Sequence, residues 1–223
     1  CWRYTRDIPQ LINIYWLSPI LFFITYWHGQ VDIVPTALLV IAIALLVSRR
    51  RESVPTTSDA SRWGPRVAAG ASILAVAGVA KLSTLLAMPF LAILAFRNRR
   101  YRPLFWPRGA LVGMGVFALL LLPWLFISDG FRRMVLGTPE LMDVYELSVV
   151  FENDGETQAI FFLPLIFLGF LYNFYRVRRP SVEYTLASVG IGYLLLVSLT
   201  PASPGWFLWV LPFVASYMLS ASR

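Results

Sequence analysis

"VAAGASILAVAGVAKLSTLLAMPFLAILAF", residues 67–96, is a run of thirty residues in which Lys81 is the only charged side chain. As one helix it would be about 45 Å long at 1.5 Å per residue, too long for the roughly 30 Å hydrocarbon core of a bilayer. The arginines around it decide how it folds. Arg49, Arg50, Arg51, Arg62 and Arg66 precede it, and Arg97, Arg99, Arg100, Arg102 and Arg108 follow it. Arginine clusters mark cytoplasmic loops of membrane proteins, so both ends are expected on the same side. The run then reads as a hairpin of two short arms, 67–80 and 82–96, turning at "KLST" near the opposite face. A broken or re-entrant pair of this kind is tolerated where protein rather than lipid surrounds the turn.

Working outward, six more apolar segments are long enough, or nearly so, to cross a bilayer: 11–28, 31–48, 109–128, 159–175, 183–199 and 206–221. The expected fold class is all-α, a polytopic transmembrane helix bundle. It would have six full spans plus the broken hairpin, about eight membrane helices, in a single domain over 1–223. Hydrophobic residues make up 58% of the chain and charged ones only 14%, with mean hydropathy +0.67, which is far from a soluble domain of this length. The net charge of +7 could suggest nucleic acid, but these arginines sit in short clusters between apolar runs, so no nucleic-acid partner is expected. One cysteine, Cys1, leaves no internal disulfide or cysteine-based metal site. The opening "CWRYTRDIPQ", without an initiator methionine, is expected to be a loop in a longer chain.

With these spans, all but three of the 19 basic residues fall on the cytoplasmic side, as do both ends of the segment. The exceptions are Lys81, Arg132 and Arg133. Trp27, Trp124 and Trp206 lie at outer ends and Trp2, Trp63 and Trp106 at inner ones, as an aromatic belt requires. The polar oddities then share the outer face. "HGQVD" (28–32) joins the first two spans, "KLST" tips the hairpin, "SDGFRR" (128–133) opens a long acidic loop over 129–158, and "TPASPGW" (200–206) joins the last two spans. Within the loop, "TPELMDVYELSVVF" (138–151) offers Thr138 as an N-cap, Pro139 at the first helical position and an apolar stripe, which together predict a short interfacial helix. "ENDGE" (152–156) reads as a turn.

Each of these features has a plain alternative: a polar turn for His28, Gln30 and Asp32, headgroup contact for the arginines, and snorkelling for Lys81. An isolated lysine deep in an apolar run nonetheless costs about 2.5–3.5 kcal/mol to insert, and arginine's planar fork suits phosphate oxygens. Lys81, Arg132 and Arg133 together therefore point to a phosphate site near the outer face. One histidine without cysteines gives no zinc pattern, and no cofactor or divalent cation is expected.

"SPILFFITYWHGQVDIVPTALLVIAIALL" (18–46), "AVAGVAKLSTLLAMPFLAILAFRNRR" (75–100) and "PGWFLWVLP" (204–212) together resemble GT-C superfamily integral membrane glycosyltransferases, of the polyprenyl-phosphate mannosyl- or glucosyltransferase kind, in their C-terminal portion. The resemblance implies a hexosyltransferase that moves a sugar from a polyprenyl-phosphate carrier to a glycan, lipid or protein acceptor on the extracytoplasmic face. It implies a multi-pass protein of a prokaryotic cell membrane, or of the ER membrane in a eukaryote. It also implies that the catalytic acid lies in an external loop upstream of Cys1. On this reading His28, Gln30, Asp32, Lys81, Arg132, Arg133 and Trp206 bind substrate, with Asp32 a weaker candidate for a catalytic base. Two other classes remain: a lipid-linked sugar flippase or small-solute transporter, which would spread polar residues through the membrane depth, and a non-catalytic scaffold subunit, which would tolerate loss of Lys81 or Arg132.

Overall fold

A long apolar segment that leaves water must close its backbone hydrogen bonds internally, and a helix does this within one segment. The computed structural model describes residues 17–27, 31–47, 60–98, 109–136, 142–153 and 156–221, with Pro9, Ile12 and Tyr15 ahead of them. These residues are mostly helical. α1 (Pro19–Phe22) runs into a π-helical turn, Phe23–Trp27. α2 (Ile33–Val47) and α3 (Ala60–Ala80) follow. A 3-10 turn (Leu82–Ala87) then leads into α4 (Met88–Arg97). α5 (Ala110–Ile127) is followed by the short α6 (Asp129–Leu136), and α7 (Phe162–Arg176), α8 (Val182–Leu199) and α9 (Phe207–Ala221) complete the chain.

α5 and α8 are long and apolar enough to cross a membrane; α2, α7 and the stretches Pro65–Ala80 and Leu82–Arg97 are apolar but shorter. The helix breaks at Lys81, where the two-arm reading of the sequence put the turn. Lys81 is extended (φ −155°, ψ 116°) between α3 and the 3-10 turn. The two arms part company there. α3 packs between α2 and α5, whereas α4 packs against α7 and α8.

The chain is not all-α. The loop expected to carry an interfacial helix over 138–151 instead holds a 3-10 turn at Asp143–Tyr145 and the strand β1 (Ser148–Asn153), which pairs antiparallel with β2 (Glu156–Phe161). Thr138 and Pro139 lie outside the described residues. β-Branched Val149 and Val150 next to Phe151 favour a strand over a helix. The register Asn153↔Glu156 leaves two residues, Asp154 and Gly155, to join the strands, and Asp-Gly is a preferred pair for two-residue hairpins. Asp154 and Gly155, at the centre of the turn expected at 152–156, lie outside the described residues, and α7 starts at Phe162 rather than at 159 because β2 takes the residues before it.

Packing relies on small residues and aromatic rings. Gly70, midway along α3, lies against Leu46 and Ala42 near the end of α2, while Lys81 just past α3 meets Asp32 just before α2, so the two helices run antiparallel. Gly113 of α5 lies against Ala71 of α3, and further along both helices Gly78 faces the ring of Phe117, so those two run parallel. Phe90 of α4 meets Phe167, Phe170 and Phe174 of α7 with ring centroids 5.3–5.9 Å apart, each pair adding about 0.5–1.5 kcal/mol beyond the area it buries. Gly190 of α8 faces α9 so closely that a Cβ there would lie 2.7 Å from the Cβ of Phe213. Neither atom is the tip of a flexible side chain, so the helices themselves would have to separate. Gly190→Ala is expected to destabilise the fold by about 1–3 kcal/mol. Gly115→Ala, where nothing lies within 4 Å, should be neutral or slightly stabilising. Thermal unfolding of both variants in detergent checks this, and equal melting temperatures would contradict the close α8–α9 contact.

Candidate functional site

The antiparallel α2–α3 pair brings the start of one helix to the end of the other, and there a part-buried ion pair forms. Lys81 Nζ donates to both carboxylate oxygens of Asp32 at 2.7 Å. The two partners differ in environment: the Asp32 side chain is 7% exposed and that of Lys81 32%. Asp32 is held by its own backbone, since its carbonyl accepts from both the amide and the hydroxyl of Thr36. Lys81 is held where α3 ends, its carbonyl accepting from the amide and the hydroxyl of buried Thr84.

The last helix supplies a wall. Lys81 Nζ sits 4.8 Å from the ring centroid of Trp209, a distance at which the aromatic face attracts a cation. Trp209 stacks on Trp206 with centroids 5.1 Å apart and planes 19° from parallel. Both indoles are buried. The Pro204–Trp206 turn packs against the π-helical turn at Phe23–Trp27, so the segments before α2, after α3 and before α9 meet at one end of the helices. A shallow depression of about 410 Å³, lined by Glu146, Leu147, Ser198, Leu199, Thr200 and Pro201, opens where α8 leads into that turn. At the other end, the Asn98 side chain donates to the Pro180 carbonyl and the Arg97 guanidinium lies 4.1 Å from the Tyr175 ring centroid.

Of the residues singled out in the sequence, Asp32, Lys81 and Trp206 come together here. Lys81 meets the Asp32 carboxylate. Arg132 pairs with Asp129, one helical turn back, on α6, which packs against α5. Ser128 caps α6, its side-chain oxygen accepting from the Phe131 amide, and Asp129 sits in the first turn, where a negative charge suits the helix dipole. Arg132 thus has a local counter-ion, and Arg133 is exposed. His28 and Gln30 lie outside the described residues.

Sequence reasoning missed Trp209, Tyr193 and Thr84. The spacing of Trp206 and Trp209 was the available signal, because positions i and i+3 share a helix face. Nothing local marks Tyr193, which reaches the site from the middle of α8.

Chemically, the pair is neutral overall, and two of the three ammonium protons are committed to Asp32. The third, on a side chain that is one-third exposed, can meet an anion or a hydroxyl. The buried indole pair backs the ammonium with an apolar wall. Among the described residues no three His, Cys, Asp or Glu side chains gather as a metal set. No family model, curated protein or solved structure matches the chain.

Proposed function

We propose that the chain is a multi-pass membrane glycosyltransferase that moves a hexose from a polyprenyl-phosphate donor to an acceptor hydroxyl on the extracytoplasmic face. The observation that carries this reading is the Lys81–Asp32 pair beside the Trp206–Trp209 stack: a tethered cation, a carboxylate and an aromatic surface within one cluster. Support for a membrane setting comes from α5, an apolar helix with no buried residue, which suits a lipid-facing position. The remaining spans, the eight-helix count and the inside position of both ends belong to the same proposal. So do the substrate roles of His28, Gln30, Arg132 and Arg133.

In this reaction the acceptor oxygen bonds to the anomeric carbon as the bond from that carbon to the phosphate oxygen breaks. The acceptor proton passes to a base outside this segment, and polyprenyl phosphate leaves. Lys81 offsets charge growing on the leaving phosphate, Asp32 holds the ammonium and contacts a sugar hydroxyl, and Trp206, stacked on Trp209, borders the sugar site.

A flippase or transporter is the second reading, favoured by the helix break at Lys81, since broken helices with charged residues also build transport sites. Against it, the hydroxyls of Thr185 and Ser188, buried along α8, are spent on carbonyls of that helix or its cap. Full-length protein in proteoliposomes, given radiolabelled mannosyl- or glucosyl-polyprenyl phosphate, separates the two. Glycosylated acceptor with released polyprenyl phosphate supports the transferase. Donor crossing the bilayer unchanged, without transfer, overturns it.

Orientation is tested independently. With Cys1 replaced by Ser, cysteines at Arg62 and Arg99 are expected to react with an impermeant maleimide only after the membrane is opened. Labelling of either from outside would sink the hairpin topology.

A further inference from the structure

The Lys81 ammonium is held in place by a closed set of contacts that runs through Tyr193. From Lys81 outward, its carbonyl accepts from the Thr84 amide at 3.0 Å and from the Thr84 hydroxyl at 2.8 Å. The carbonyls of Ser83 and Thr84 in turn accept from the Tyr193 hydroxyl at 3.2 and 3.3 Å. The Tyr193 ring packs on Trp209 with centroids 6.0 Å apart, and Trp209 lies under the Lys81 ammonium. One end of the path grips the lysine's backbone and the other its charged head. Both meet at one side chain of α8 that is only 1% exposed.

We infer that Tyr193 is a positioning residue for Lys81: its hydroxyl fixes the backbone just past the helix break while its ring fixes the surface over which the ammonium sits. A lysine has four side-chain torsions and loses much of that freedom only if both ends are held. Asp32 alone sets a direction for the ammonium. The Tyr193 path sets the reach of the side chain, because it ties the level of the 3-10 turn to that of the Trp209 ring. Phenylalanine at 193 would keep the ring contacts with Trp209 and Phe213 and release only the two carbonyls. As a statement about catalysis this rests on the transferase reading; as a statement about Lys81 it does not.

Lys81 is the only lysine among these 223 residues, and an amine-directed acylating ester, with the modified peptide identified by mass spectrometry, reads its side chain separately from any other amine. The full-length protein in detergent is compared with three variants. Tyr193→Phe is expected to raise the acylation rate at Lys81 about fivefold, the weight of one neutral hydrogen bond. Thr84→Val, which cuts the same path nearer the lysine, should move it the same way and carries the test should Tyr193→Phe fail to fold. Ser188→Ala removes another buried hydroxyl from the same helix and should leave the rate within about twofold, whatever it does to stability. An unchanged rate in Tyr193→Phe, or an equal rise in Ser188→Ala, overturns the positioning role. Where wild type transfers sugar, Tyr193→Phe should lower kcat at unchanged KM. A wild type that transfers nothing counts against the proposed function and leaves the acylation result standing.

Discussion

Lys81→Met should lower the unfolding free energy by about 3 kcal/mol, whereas Asp32→Asn should lower it by about 1 kcal/mol, although each removes half of the same ion pair. The asymmetry follows from exposure. With Lys81 gone, the carboxylate of Asp32, 7% exposed, is left charged without its partner and must take up a proton or drag in water. When Asp32 becomes Asn, the stranded group is an ammonium already 32% exposed, on a stem long enough to carry it to the aqueous edge, and its partner can still accept one hydrogen bond. Removing one member of a fully buried pair costs about 3–5 kcal/mol. The lysine variant is placed at the low end because its pair is not fully enclosed. Replacing both residues, Lys81→Met with Asp32→Leu, leaves no charge behind and should be less destabilising than Lys81→Met alone. Chemical unfolding in mild detergent measures all three. Costs that simply add would show that the two side chains do not depend on each other. If the proposed function is right, the double variant folds but does not transfer sugar, which separates the role of the pair in chemistry from its role in stability.

Most of the helix ends were legible from two signals, the apolar runs and the arginines that bound them. The break at Lys81 was legible too, because a helix through 67–96 would outrun a bilayer while both flanks carry arginine. Such signals fix the depth of a residue along a helix but not its direction around the helix. Asp32 and Lys81 could therefore be assigned to one end of the bundle from the sequence, while their pairing could not. Lys81 was grouped with Arg132 and Arg133 because all three broke the charge rule. The Asp129–Arg132 spacing of three, readable as a helical pair, would have given Arg132 a nearer partner. The hairpin at 148–161 was lost for a related reason. Leu141, Val144, Tyr145, Ser148 and Val149 fit a helical stripe, and in a short apolar stretch the helical and strand periods overlap. The β-branched residues and the Asp-Gly pair were the better guides. Tyr193 lies in the middle of an evenly apolar span and reaches the site only through the packing of α8 on α9 and on the 3-10 turn, which no local pattern encodes.

If the proposed function is right, Asp32→Asn should lower the turnover of sugar transfer 30- to 1000-fold, equivalent to about 2–4 kcal/mol of lost transition-state stabilisation, and the ion pair adds a sign for KM. In the wild type Asp32 takes two of the ammonium's protons and cancels its charge, so the resting site is neutral toward an incoming phosphate. With Asn at 32 the ammonium is an uncompensated cation before the donor binds. It should hold the ground-state phosphate more tightly, so KM for the donor should fall. The gain does not carry into the transition state, because the ammonium is no longer aimed by a carboxylate and the contact from Asp32 to the sugar is weakened. A variant in which kcat and KM fall together has traded transition-state for ground-state binding. An Asp32 that served only as a polar turn would behave otherwise, since an exposed Asp-to-Asn exchange usually stays within about 0.5 kcal/mol, or threefold in rate. The assay is transfer from a polyprenyl-phosphate sugar in detergent, run below the melting temperatures of both proteins so that the small loss of stability does not enter. A rate within threefold of wild type would remove Asp32 from the chemistry and leave the ion pair as a structural clasp between α2 and α3. A lowered kcat at raised KM would mean instead that the carboxylate binds the sugar directly and that freeing Lys81 does nothing for the phosphate.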